Sequence, residues 1–170
     1  MSISMYQASF PLLRHQLRSL IGILEKAAAH AEEKSIDPTI LTSSRLYPDM
    51  FPLTKQVQIA TDIARRGVAR LADVEAPPLE DKEVNFPELI DRIRKSIDYL
   101  ETFSADQIDG TEEKEITVPI GKGQTMAMKG WPFLAFFVIP NTHFHVTTAY
   151  DILRHNGVEV GKRDYLGSPD

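Results

Sequence analysis

Asn141 and His145 stand one helical turn apart in Pro140-Asn141-Thr142-His143-Phe144-His145, and two nitrogen-bearing side chains at that spacing can converge on one ion, water or small molecule. Read at helical spacing, Leu134, Val138, Asn141, His145, Thr148 and Ile152 advance in alternating steps of four and three, so both fall on a largely apolar stripe. A polar group buried there costs roughly 1–3 kcal/mol unless it is hydrogen-bonded or bound to something. His145 is therefore the expected catalytic residue, as a general base or a metal ligand, with Asn141 orienting water or substrate. On an earlier helix Gln56 flanks the apolar stripe closely enough to face inward, which completes an expected ligand-binding set of Gln56, Asn141 and His145. The same residues allow a second reading, in which Asn141 and His145 belong to a core hydrogen-bond network closed by Gln56 or a tyrosine hydroxyl.

Other chemistry is thinly represented. His143 points roughly 200° away from His145 on a continuous helix, and His15, His30 and His155 have no helical partner of suitable type. The absence of cysteine excludes disulfides, thiolate zinc sites and cysteine nucleophiles. No serine sits in a Gly-x-Ser-x-Gly elbow, and Gly121-Lys122-Gly123 lacks the strand-to-helix context of a phosphate loop. Asp49 reads as an N-cap, while Asp62 matters to catalysis only if the fold brings it near His145. Phe133, Phe136, Phe137 and Phe144 read as core or dimer contacts.

These residues need elements to position them. Tyr6, Phe10, Leu13, Leu17, Leu20, Leu24 and Ala28 predict an amphipathic helix from about Met5 to Glu33, bent at Pro11, and Asp37-Pro38 opens one short turn. A second long helix follows Asp49 and Pro52, with Leu53, Val57, Ala60, Ala64, Val68 and Leu71 inward. Pro77-Pro78 breaks the pattern, and a third helix begins near Asn85 with Phe86, Leu89, Ile93, Ile97 and Leu100 inward. Between Lys114 and Lys129 the period changes to two, which predicts a β-hairpin turning at Gly121-Lys122-Gly123. Trp131-Pro132 opens the last helix, with a kink expected just before Asn141; Gly157 ends it, leaving Val158 to Asp170 as a tail. The expectation is an all-α four-helix bundle with a short β-hairpin before the last helix, one domain over residues 1–170.

This order resembles the DinB/YfiT-like family of bacterial bundle proteins. Asp49-Met50-Phe51-Pro52-Leu53 with Lys55-Gln56-Val57, and Phe144-His145-Val146-Thr147-Thr148-Ala149-Tyr150 with Ile152-Leu153-Arg154 and Gly157, look like a branch known only as a domain of unknown function. The resemblance covers nearly the whole chain and implies a homodimer. In the wider family, three histidines typically hold a divalent metal, and some members are thiol-dependent transferases or hydrolases. Carried over residue by residue, His145 matches the second histidine of the last helix, the first falls on Asn141, and the ligand position of the second helix falls near Gln56. The implied metal ligands are thus His145, Asn141 and Gln56. Carboxamide oxygens suit hard cations and replace imidazole poorly at zinc or nickel.

Composition narrows the partners. A net charge of −5 with no block of like charge gives no nucleic-acid footprint, and no segment reaches the length of a membrane span. A cytoplasmic protein with an unidentified small-molecule partner is the expectation.

Overall fold

The computed structural model describes residues 3–121 and 123–168. Its first helix, α1 (Met5–Glu33), is opened by a capping box in which Ser4 accepts from the Gln7 backbone and Gln7 accepts from the Ser4 backbone. Pro11 lies inside α1, so the helix starts well before the proline. α2 (Pro38–Thr42) is the short turn capped by Asp37, whose carboxylate accepts from the Thr39 backbone.

In α3 (Leu53–Leu71) every residue of the expected stripe is buried, and Gln56 with it. Asp49 is not its N-cap. The position belongs to Pro52, in extended backbone and without a side-chain cap bond, while Asp49 sits upstream in a turn. α4 (Phe86–Leu100) begins where Asn85 accepts from the Glu88 backbone, and Phe86, Leu89, Ile93, Ile97 and Leu100 are buried. The connection between α3 and α4 is held by two buried arginines. Arg92 is buried and donates to Thr61 Oγ1 (2.9 Å), Glu83 Oε1 (3.0 Å), Asp62 Oδ1 (2.9 Å) and the Glu80 carbonyl (3.1 Å). Arg65, also buried, donates to the Pro77 carbonyl at 2.9 Å. Buried guanidinium groups persist only when paired in this way.

After the short α5 (Ala105–Ile108), β1 (Glu115–Gly121) pairs antiparallel with β2 (Gln124–Lys129), placing Ile116 opposite Met128 and Val118 opposite Met126. Ile116 and Val118 are buried and the two methionines pack partly on the same core, as an isolated hairpin requires. Lys122, expected at the turn, lies outside the described residues. The hairpin is seated by Gly130, where an added Cβ would fall 1.9 Å from the Thr111 carbonyl oxygen.

The last helix departs from expectation. It runs as α6 (Gly130–Phe133), a π-helical turn (Leu134–Val138) and α7 (Ile139–His155). The interruption lies upstream of the expected kink: the Ile139 N–H donates to the Leu134 carbonyl, five residues back. Pro140 has no N–H for the Phe136 carbonyl, and its ring would crowd that group in a regular α-helix. A wider turn accommodates both, and it changes the phase of everything downstream. The buried residues of α7 are Thr142, Val146, Thr148, Ala149, Ile152 and Leu153, so Thr148 and Ile152 of the expected stripe stay inward while Asn141 and His145 are half-buried at the edge of that face.

The segment after Gly157 is more structured than a tail. Val158 and Val160 are buried, and α8 (Lys162–Leu166) packs on α1. Lys26 pairs with Asp164 at 2.6 Å, and a ring nitrogen of His15 lies 2.6 Å from the Leu166 carbonyl.

Candidate functional site

Two of the expected site residues meet. Gln56 is placed by α3 and His145 by α7, the helices that pack most extensively on each other, and Gln56 Oε1 lies 2.7 Å from His145 Nδ1. The other end of the carboxamide is committed, since Gln56 Nε2 donates to the Phe51 carbonyl at 3.0 Å. That bond turns the amide oxygen toward the imidazole. An oxygen can only accept, so Nδ1 carries the proton and Nε2 of the neutral ring keeps its lone pair. Burial pushes the His145 pKa below the ordinary histidine value, which favours this neutral form at pH 7. The Phe144 ring stands edge to face with the imidazole at 5.2 Å and forms an apolar wall beside it.

Asn141 is not part of this chain of bonds. Among the described residues its carboxamide has no hydrogen-bond partner, so the expected three-residue set resolves into a bonded pair with a half-buried amide one turn away. The physical reason is the π turn, which rotates Asn141 away from the centre of the inward stripe. Asp62 does not back His145; it lies against Arg65 (3.2 Å), Arg66 (3.0 Å) and Arg92 (2.9 Å). His143 faces the opposite side of α7, where its Nδ1 is 3.1 Å from the Tyr165 hydroxyl, to which Thr147 also donates at 3.1 Å. Its pKa too is lowered by burial.

The donor set does not fit a divalent metal of the three-histidine type. His145 supplies one free nitrogen, the Gln56 oxygen already accepts from Nδ1, and among the described residues no three His, Cys, Asp or Glu side chains converge. What the arrangement can do is accept a hydrogen bond, or a proton, at Nε2 from a group held against the α3–α7 seam. Sequence reasoning missed the Phe51 carbonyl, a backbone group that orients Gln56 without leaving any mark on residue type.

Among the described residues no helix is long and apolar enough to cross a membrane. No curated protein matches the chain. Among solved structures it is similar to the crystal structure of a DinB family member protein from Shewanella denitrificans, with 43% identity and a TM-score of 0.89 over 96% of this chain and 92% of that one. Residues 5–166 match the family model described as a domain of unknown function, DUF1993. Matched over nearly its whole length by that family and by a DinB fold, the chain belongs to the DUF1993 family of DinB-like four-helix-bundle proteins.

Proposed function

We propose that this DinB-like bundle binds a small polar molecule at the α3–α7 seam without using a family-type metal, with His145 Nε2 as the acceptor of a hydroxyl or amine proton and Asn141 as a neighbouring polar contact. The observation that carries this reading is the relay from the Phe51 carbonyl through Gln56 to Nδ1 of His145, which fixes one tautomer and leaves Nε2 without a partner among the described residues. In a histidine that serves only as core filling both ring nitrogens are satisfied. In an enzymatic member the same nitrogen is a general base; in a binding member it is a recognition element.

Elemental mass spectrometry of natively purified parent and His145→Ala protein tests the metal-free part, with substoichiometric metal expected in both. Near-stoichiometric metal in the parent that is lost in the variant would overturn it. A thermal-shift screen with small alcohols, amines and amides tests the binding part. Stabilisation of the parent that disappears in His145→Ala supports the site, and a hit list unchanged by the substitution refutes it.

A homodimer is a second element of the proposal, favoured by the exposure of Phe136 (72%) and Phe144 (58%) on the last helix. Light scattering that gives the monomer mass across micromolar concentrations would remove it.

A further inference from the structure

A cleft of about 250 Å³ lies between α3 and the hairpin, on the face of α3 that carries Lys55, Ile63 and Arg70 and not Gln56. One wall is apolar, built from Ile63, Val118, Pro119, Phe133 and Phe137. The other is charged, and nearly all of its charges are already committed. Asp62 is held by Arg65, Arg66 and Arg92; Asp81 by Lys55 (2.6 Å) and Arg92 (3.1 Å). Arg70 is the exception. It borders this cleft and a neighbouring one, is half-buried, and among the described residues has neither an ion pair nor a side-chain hydrogen bond.

The position is unfavourable for an unpaired cation. Burial is the larger cause of the lowered Arg70 pKa and the like charge of Arg66, one turn earlier, the smaller. Lys114 does not add to this charge, because its ammonium pairs with Asp73 at 3.4 Å while donating to the Arg70 and Leu71 carbonyls at 3.3 and 3.0 Å. A guanidinium presents planar donors that match a carboxylate or phosphate in two parallel bonds. The volume falls below the range of about 300–1,000 Å³ that takes drug-sized ligands, which limits the occupant to a short chain or a single ring.

We propose that this cleft is a binding site for a small anionic amphiphile, a monocarboxylate in the first instance, whose head pairs with Arg70 beside Arg66 and whose hydrocarbon part lies on Ile63, Pro119 and Phe137. The site is independent of the His145–Gln56 pair and stands whether or not that pair binds anything.

Calorimetric titration of the full chain with octanoate, benzoate, octanamide and inorganic phosphate tests it, with amide chemical-shift mapping to locate the ligand. Octanoate or benzoate is expected to bind, to shift Gly67 and Val118, and to weaken by about tenfold or more in Arg70→Gln, as loss of a charge-assisted bond implies. Octanamide is expected to bind much more weakly than octanoate. Arg70→Gln should fold normally, since among the described residues the Arg70 side chain makes no bond to lose and its carbonyl is unchanged; Ile63→Trp, which fills the cleft from its apolar side, provides a second loss-of-binding variant. The proposal is overturned by absence of carboxylate binding at millimolar concentration, by equal affinity in Arg70→Gln, by shifts confined to the His145 seam, or by phosphate binding as tightly as octanoate.

Discussion

Gly67 on α3 faces Val138 at the end of the π turn so closely that a Cβ on the glycine would lie 2.6 Å from Val138 Cγ1 and 2.8 Å from Cγ2. The bare backbone of Gly67 is what lets the two helices approach. Alanine would gain about 1 kcal/mol of helix propensity and lose more to overpacking, which costs typically 1–3 kcal/mol. Urea denaturation of Gly67→Ala is expected to show a net loss of up to roughly 2 kcal/mol by these two magnitudes. Val138→Ala, destabilising alone, should restore part of that loss when combined with it. A Gly67→Ala protein as stable as the parent would show that the π turn yields easily.

The relay to His145 can be cut at its middle. Gln56→Leu leaves the Phe51 carbonyl and His145 Nδ1 unpaired, at a cost of about 1–3 kcal/mol. Nitrogen NMR of the imidazole is expected to report a single Nδ1–H tautomer in the parent and a mixture in the variant. The opposite tautomer in the parent would refute the assignment.

Acid should weaken the fold through two half-buried histidines. His143 and His145 both have pKa values lowered by burial, so the unfolded chain binds more protons than the folded one as pH falls below about 6.5. Their contribution is fully present above that pH and is lost as pH drops through the folded-state values. The urea midpoint is expected to be lower at pH 5.5 than at 7.5, with a smaller difference in a His143→Gln/His145→Gln chain. A midpoint unchanged between these pH values contradicts the prediction.

Removing Arg92 strands its partners. Burial alone would raise the Glu83 pKa, but the bonds from Gln58 and Arg92, with a backbone bond and the charge of Arg92, together hold it below the usual carboxylate range. Arg92→Met is expected to cost about 3–5 kcal/mol, because breaking one side of a buried pair leaves the other uncompensated. Adding Glu83→Gln should recover part of it. A loss under about 1 kcal/mol would mean that solvent replaces the guanidinium freely.

The bundle was legible from apolar spacing because its first three long helices obey one period throughout: Leu53, Val57, Ala60, Ala64, Val68 and Leu71 are all buried as the stripe requires. The hairpin was legible because its period changes to two. What could not be read was conditional on tertiary contact. Arg65 and Arg92 look like solvated charges until Asp62, Glu83 and the Pro77 carbonyl surround them, and Val158 and Val160 look like a tail until α8 folds back on α1. Gln56 and His145 were legible as a pair, whereas Asn141 was misplaced by a regular period carried through a turn that is not regular.

That turn has a consequence for how this chain is laid beside others. A π turn spends one more residue per circuit than an α-helix, so counting forward from Trp131 and counting back from Gly157 assign different angular positions to the same residue. An alignment with a helix that lacks the turn must open a one-residue gap within 134–138, and only residues on the same side of that gap can be equated by number. The helix behaves like a vernier with one graduation added, on which His145 and Phe133 are read against different zeros.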